Sequence, residues 1–125
     1  MRNKLMALVI GGLLMLGQSV SANQTMTTQE LQSKLNAKEN FVLLDVRTQE
    51  EYNAGYIAGA ILLPYDEINA KATIVLPDKE KEIVLYCRSG RRSAIAKKSL
   101  LDLGYQKVVD FGGVKRWEGE LVRNK

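Results

Sequence analysis

No histidine occurs among the 125 residues, and this absence removes several classes of function at once. Without an imidazole the chain has no base for a Cys–His protease or a Ser–His–Asp hydrolase, and no histidine ligand for zinc. Cysteine is almost absent too, since Cys87 stands alone. An internal disulfide and a Cys-x-x-Cys redox pair are therefore excluded, and the cysteine is an inert core residue, an intermolecular link or a reactive thiol. We expect no metal and no cofactor.

A large charge of one sign is also missing. The formal net charge is +4, from 18 basic and 14 acidic side chains, which is too mild a balance for a dedicated nucleic-acid binder. The sequence contains no internal repeat, low-complexity segment or linker, and its length suits one globular domain. We therefore expect a single domain with no nucleic-acid partner.

Long apolar runs are scarce, and the one that stands out lies near the amino terminus, at residues 5–16. It follows the basic residues Arg2 and Lys4 and precedes small and polar residues, which is the three-part pattern of a secretory signal peptide. A run of this length is shorter than the roughly 20 apolar residues that span a bilayer. We expect residues 1–22 to be a cleaved signal peptide and residues 23–125 the mature domain, periplasmic or secreted, with no stable membrane anchor.

Apolar segments alternate with helical patterns along the mature chain. The predicted strands are 41–46, 60–64, 82–87 and 107–111, and the predicted helices are 27–40, 49–54, 65–72 and 93–104. Nearly continuous apolar strands between helices predict an α/β fold, with a mostly parallel sheet of about four to five strands and helices on both faces. Ligands gather at the carboxyl ends of such strands, which is where Cys87 lies.

The segment CRSGRRS places Cys87 between a predicted strand and the start of a helix. A helix start offers unpaired N–H groups and a positive dipole end, and Gly90 permits a backbone whose amides turn inward to hold an anion. Three cations follow, Arg88, Arg91 and Arg92. Each feature favours thiolate over thiol, so we expect an exposed, reactive thiolate at neutral pH. The alternative, an inert buried cysteine, predicts apolar neighbours on both sides.

A thiolate in an anion-holding loop suggests attack on a phosphate ester or arsenate, or attack on a sulfane sulfur. Cysteine phosphatases use Cys-x5-Arg, in which the arginine clamps the oxyanion. Here the sixth residue after Cys87 is Ser93, and the arginines stand at the fourth and fifth positions. This tighter loop favours sulfur transfer.

Four motifs with matching order and spacing cover nearly the whole mature domain. They are LLDVR (43–47), EYNAGYIAGAILLP (51–64), YCRSGRRS (86–93) with LGY (103–105), and FGGVKRW (111–117). Together they resemble the rhodanese family of thiosulfate sulfurtransferases, particularly its small exported single-domain members of the bacterial phage-shock type. Tyr56 stands where the family has a histidine. That histidine is not the nucleophile, so the resemblance still implies activity.

The resemblance implies that Cys87 takes the outer sulfur of thiosulfate as a persulfide and passes it to cyanide or a thiol. The implied substrate-binding residues are Arg88, Ser89, Gly90, Arg91, Arg92 and Ser93. The acceptor is a small molecule or a partner protein, for which the chain would act as a sulfur carrier. A further alternative is a non-catalytic rhodanese-fold binding module, although the retained cysteine and arginines argue against it.

Several side chains around the loop have two interpretations each. Arg92 either binds the anionic donor or is a solvated cation at the helix start. Asp45 and Arg47 either support the loop, with Asp45 accepting hydrogen bonds or pairing with an arginine, or form a solvated pair at the strand end. We expect Arg47 to pair with Glu51, four residues on, and three aromatic side chains to serve in packing: Tyr56, Tyr86 and Trp117.

Overall fold

The computed structural model describes residues 26–123, and the predicted signal peptide at 1–22 lies outside them. Strands and helices alternate along this part of the chain. The strands are β1 (Phe41–Asp45), β2 (Ile61–Leu62), β3 (Glu82–Cys87) and β4 (Val108–Gly113). The helices are α1 (Thr28–Asn36), α2 (Gln49–Ala54), α3 (Ile68–Val75) and α4 (Arg91–Asp102), with short 3-10 turns at Tyr65–Glu67 and Val114–Arg116.

The strands of this region form one parallel sheet in the order β2–β1–β3–β4. The predicted α/β class and parallel sheet are confirmed. β1 and β3 lie at the centre and pair from Phe41 opposite Glu82 to Asp45 opposite Tyr86. Both are covered on two faces, which explains their nearly continuous apolar sequences. Their carboxyl ends bring Asp45 and Cys87 to the same edge of the sheet.

Side chains that alternate along β3 enter two separate cores. Leu85 and Cys87 pack with apolar residues of α3 and α4 on one face of the sheet. Val84 and Tyr86 pack on the other face with Leu31 of α1 and residues of the C-terminal segment. Helices therefore cover both faces, as predicted.

Helices α1 and α2 begin with the capping boxes that their sequences predict. The Thr27 hydroxyl accepts the N–H of Glu30 at 3.0 Å, and the Glu30 carboxylate accepts the N–H of Thr27 at 2.8 Å. Thr48 and Glu51 make the same exchange at the start of α2, at 3.2 and 2.9 Å. These bonds satisfy N–H groups that the helix itself leaves without acceptors.

Several predicted elements have different bounds in the structure. The helix predicted at 27–40 ends at Asn36. The strand predicted at 60–64 is reduced to Ile61–Leu62, because as an edge strand it pairs with only two residues of β1. The helix predicted at 65–72 is a 3-10 turn followed by α3, which continues to Val75.

The helix predicted at 93–104 begins two residues earlier, at Arg91, and ends at Asp102. Gly90 precedes it with φ 112° and ψ −20°, a left-handed conformation that glycine adopts without strain. The predicted start, Ser93, therefore lies inside the first turn of the helix. None of the helices between residues 26 and 123 is long and apolar enough to cross a bilayer.

Candidate active site

Cys87 is the last residue of β3, and three residues separate it from the first residue of α4. Its side chain is fully buried and lies in the same core cluster as Leu85 and Ala96. The expectation of an exposed thiol is therefore wrong. The alternation of side chains along β3 directs this one toward the face that α3 and α4 cover, so the sulfur lies beneath the loop rather than at the surface.

A backbone donor reaches the sulfur from that loop. The N–H of Gly90 donates to Sγ of Cys87 at an N···S distance of 3.0 Å. The positive φ of Gly90 lets the chain turn back over the cysteine at this point. An inert core cysteine also predicts burial, but it does not require a loop that folds back to offer an N–H group.

The start of α4 lacks the cap that α1 and α2 possess. No side-chain oxygen in the described part of the chain caps it, and its first helical backbone bond is that of the Ala94 N–H to Gly90. The N–H groups of Arg91, Arg92 and Ser93 are thus left for another acceptor. The Ser93 hydroxyl donates to the Gly90 carbonyl at 3.0 Å, which ties the loop to the first turn of α4. The arrangement suits an anion at this helix start.

The loop arginines fall into two groups. Arg88 and Arg91 are exposed, and neither forms an ion pair with another residue of the 26–123 region. Arg92 is partly buried and donates through Nη1 and Nη2 to the two carboxylate oxygens of Glu51, at 2.9 Å each. The interpretation of Arg92 as a solvated cation is therefore wrong, and its role in donor binding stays a prediction.

Glu51 links the two helix starts, although the sequence did not indicate this. Its Oε1 atom accepts from Thr48 in the α2 capping box and also from Arg92. The hydrogen bonds from Arg92, with smaller help from Thr48, lower the pKa of Glu51 to about 2. The same pairing raises the pKa of Arg92. Arg92 is the second residue of α4, the helix that directly follows the loop whose Gly90 N–H reaches the sulfur.

The predicted Arg47–Glu51 pair is wrong, because Arg47 binds Asp45 instead. Arg47 Nη2 donates to Asp45 Oδ2 at 2.6 Å, and its backbone N–H donates to Oδ1 at 3.0 Å. Both residues are buried, so the solvated interpretation of this pair is also wrong. Burial opposes ionisation, but the hydrogen bonds and charge of Asp45 outweigh it and raise the pKa of Arg47.

The buried Asp45 also ties β1 to β3. The Tyr86 hydroxyl donates to Asp45 Oδ2 at 2.8 Å and accepts the N–H of Ile57 at 3.1 Å. Burial, and then the negative charge of Asp45, raise the pKa of Tyr86 well above its usual value. Tyr86 serves in packing, as expected, and it also fixes the strand end beside Cys87. In the described residues no group of three His, Cys, Asp or Glu side chains suits a metal ion.

A family model for the Rhodanese-like domain matches residues 27–120. The chain belongs to the rhodanese family. This membership assigns it to the sulfurtransferase class and does not specify its sulfur donor or acceptor. It also agrees with the four motifs, all of which fall within the matched range.

Individual rhodanese relatives agree with this membership. The chain is 38% identical over 72 residues to the thiosulfate sulfurtransferase PspE of Escherichia coli, covering 58% of this chain and 69% of that protein. It is 39% identical over 94 residues to YtwF of Bacillus subtilis, covering 75% and 89%. The solved structure of a rhodanese-like domain protein from Staphylococcus aureus superposes with a TM-score of 0.69 at 34% identity, covering 82% of this chain and 99% of that one.

Longer rhodanese relatives contain more than this domain. The chain is 35% identical over 113 residues to the adenylyltransferase and sulfurtransferase UBA4 of Meyerozyma guilliermondii, covering 84% of this chain. It spans about a quarter of that protein's length, 26%.

Tyr56, which replaces the histidine of the rhodanese motif, has a packing role here. Its ring stacks on Tyr52, with centroids 4.1 Å apart and planes 9° from parallel. Its backbone forms an antiparallel bridge with Val122 near the end of the described chain. Trp117 also packs, edge-on to Phe111 at 6.4 Å. Both outcomes agree with the sequence interpretation.

Gly113, at the end of β4, packs directly against the backbone of the Cys87 loop, a contact that the sequence motif alone did not reveal. A side chain at this position would place its Cβ 2.7 Å from the Arg88 carbonyl oxygen and 2.9 Å from the Ser89 Cα. Both contacts are with backbone and are too close for any residue other than glycine. The absence of a side chain at Gly113 therefore allows the end of β4 to pack against the backbone of the loop.

Proposed function

We propose that this protein is a thiosulfate sulfurtransferase that works through a persulfide on Cys87. The observation that carries the proposal is the position of the sulfur, at a strand end, 3.0 Å from the Gly90 N–H and next to an uncapped helix start. Such a setting stabilises negative charge on sulfur in both the thiolate and the persulfide. The family membership supports the same class of chemistry.

The reaction proceeds in two displacements. In the first, the Cys87 thiolate attacks the outer sulfur of thiosulfate, the sulfur–sulfur bond of thiosulfate breaks, and sulfite leaves with the bonding electron pair. In the second, cyanide or a thiolate attacks the terminal sulfur of the persulfide, which releases thiocyanate or a new persulfide and restores the Cys87 thiolate. Charge balances in both steps, and neither step needs an oxidant, a metal or a general base.

The loop residues divide the work of anion binding. The Gly90 N–H donates to the sulfur, and we assign the N–H groups of the first turn of α4 to the anionic donor, in the manner of an oxyanion hole. The exposed Arg91, which has no ion pair among the described residues, binds the sulfonate end of the donor, and Arg88 lines the entrance.

The physiological acceptor is a thiol, free or on a partner protein, and cyanide serves in the assay. The signal-peptide pattern at 1–22 supports export, so we extend the proposal to a periplasmic or secreted enzyme that meets its donor there.

The test of the proposal follows thiocyanate formation by the purified protein supplied with thiosulfate and cyanide. Cys87→Ser should abolish the reaction, because it removes the nucleophile. Mass spectrometry after thiosulfate alone should find one added sulfur atom on the wild-type protein and none on the variant. An unchanged rate in Cys87→Ser, or turnover without the sulfur adduct, would contradict the persulfide route.

A matched pair of cation variants tests donor binding. Arg91→Ala should raise the KM for thiosulfate about tenfold, since a charge-assisted contact to an anion contributes about 1.5 kcal/mol or more. Lys97→Ala, which removes the same charge from the same helix away from the loop, should leave KM unchanged. Equal effects of the two substitutions would remove Arg91 from the donor site.

A further inference from the structure

A carboxylate from another helix binds an arginine at the start of α4. Glu51, in the first turn of α2, accepts from both Nη atoms of Arg92 at 2.9 Å, and Arg92 lies in the first turn of the helix that follows the Cys87 loop. The side chains are only 24% and 18% exposed. The two residues are 41 positions apart in the sequence, so the fold, rather than helix periodicity, brings them together.

Glu51 is held on its other side as well. Its Oε1 atom accepts the backbone N–H of Thr48 at 2.9 Å and the Thr48 hydroxyl at 3.1 Å. A carboxylate fixed by two partners holds the Arg92 guanidinium in one place and cancels its charge. Arg88 and Arg91 make no such pair within the described region. Of the three loop arginines, the partly buried Arg92 is thus neutralised, whereas the exposed Arg88 and Arg91 have no such partner among the described residues.

We propose that Glu51 is a specificity-determining residue, which holds Arg92 in a closed ion pair at the start of α4 and so limits the preference of the Cys87 site for doubly charged sulfur donors. The inference rests on the proposed function, because it concerns the same site. An unpaired guanidinium attracts a dianion about twice as strongly as a monoanion at the same distance. Backbone N–H groups, which carry only partial charges, discriminate less. Glu51 acts through Arg92, as a positioning residue.

The charge of the site can be measured without turnover, by alkylation of the single cysteine. Iodoacetate is an anion and iodoacetamide is neutral, but both react with the same thiolate, so changes in the amount of thiolate cancel in the ratio of their rates. Glu51→Gln keeps the capping box and removes the charge. We expect it to raise the iodoacetate-to-iodoacetamide ratio about fivefold, through uncompensated Arg92.

Three further variants give an ordered series. Arg92→Gln leaves the Glu51 charge unbalanced and should lower the ratio below the wild-type value, also about fivefold. The double variant removes both charges and should return near the wild-type ratio. Glu50→Gln removes the same charge from the same helix turn, at an exposed position, and should leave the ratio unchanged. Thermal unfolding checks that each variant is folded. If Glu51→Gln does not fold, Arg92→Gln tests the ion pair independently.

Two results would overturn the inference. One is an equal ratio in Glu51→Gln and Glu50→Gln. The other is an equal rise of the iodoacetate-to-iodoacetamide ratio when Glu51→Gln is introduced into the wild type and into Arg92→Gln. Glu51 would then not act through the arginine.

Catalysis supplies the second readout and separates the two proposals. Wild type and Glu51→Gln are compared with thiosulfate, a dianion, and methanethiosulfonate, a monoanion, as donors. The substitution should lower the KM for thiosulfate and shift kcat/KM toward it about fivefold. If the wild type transfers no sulfur while the alkylation series holds, the proposed function fails and the charge inference stands. If sulfur is transferred and the series is flat, the inference alone fails.

Discussion

The two helices that start at the carboxyl edge of the sheet begin in opposite ways. α2 follows β1 after residues 46–48, and α4 follows β3 after residues 88–90, so the strand–loop–helix units have the same length of connection. At the start of α2, Thr48 and Glu51 accept the N–H groups that the helix leaves free. At the start of α4, Gly90 supplies no side chain, and no side chain within residues 26–123 caps those groups.

The last residues of β1 and β3 also differ in how fully their side chains are bound by neighbouring groups. β1 ends in Asp45, whose carboxylate is saturated by Arg47 and the Tyr86 hydroxyl. β3 ends in Cys87, whose sulfur accepts the Gly90 N–H. The unit of β1 and α2 thus binds its own carboxylate, whereas the unit of β3 and α4 has a nucleophile and a helix start with no side-chain cap from the described residues. The difference lies in a few side chains, on the same local topology.

The largest expected effect comes from breaking the unit of β1 and α2. Asp45→Ala leaves the Arg47 guanidinium buried and unpaired, so the free energy of unfolding should fall by about 3–5 kcal/mol. Urea unfolding measures the loss. Asp66→Ala, an exposed aspartate, is the control and should change stability by less than about 0.5 kcal/mol. If the two variants unfold at similar urea concentrations, the buried cluster does not support the strand ends.

A medium effect is expected from forcing a side chain onto the unit of β3 and α4. Gly90 has φ 112° and open space around its Cβ position, so Gly90→Ala introduces backbone strain without a clash, about 1–2 kcal/mol. Because the strain moves the N–H away from the sulfur, sulfur transfer should fall at least about tenfold.

Gly59 provides the matched control for that substitution. It has φ 94° and equally open surroundings, but lies away from Cys87. Gly59→Ala should lower stability by the same amount and leave the rate of sulfur transfer intact. Equal losses of activity in the two variants would mean that the Gly90 N–H has no special role.

The smallest effect concerns the bond between the two units, and it depends on pH. Glu51 has a pKa of about 2 in the folded protein and 4.5 as its ordinary value. Its stabilisation is thus complete above pH 4.5 and disappears as the pH falls toward 2. Glu51→Gln should lower the free energy of unfolding by about 1 kcal/mol at pH 7, a value discounted for partial exposure.

Denaturant unfolding of wild type and Glu51→Gln between pH 7 and pH 2 measures this difference, which should shrink to zero at the acidic end. Arg92→Gln should reproduce both the loss and its pH dependence. A difference that stays constant over the whole range would show that the ion pair does not stabilise the fold.

The sequence predicts local features well in this protein. The Thr27–Glu30 and Thr48–Glu51 spacings identified two helix starts, and the apolar runs identified the central strands, because these signals involve neighbours in the chain. The predicted length of the edge strand β2 was too great, since a strand is limited to the residues that pair with its neighbour, here two residues of β1.

Ion pairs between residues that are distant in the sequence could not be predicted from local patterns. Arg47 and Glu51 have helical spacing, yet each binds elsewhere, Arg47 to the buried Asp45 and Glu51 to Arg92, 41 positions away. The close approach of Gly113 to the loop is also a consequence of packing. The sequence motif identifies the loop and its cysteine, but only the fold reveals that the thiol is buried and that Arg92 is neutralised by Glu51.

The central claim, that the open helix start holds the Cys87 sulfur as an anion, is tested most directly by the pH dependence of its alkylation. The cysteine is the only one in the chain, so iodoacetamide labels a single site. A thiolate stabilised by the loop predicts a rate that has already reached its plateau at pH 7. A rate that rises about tenfold per pH unit up to about pH 8.5, as for an ordinary cysteine, would contradict the claim.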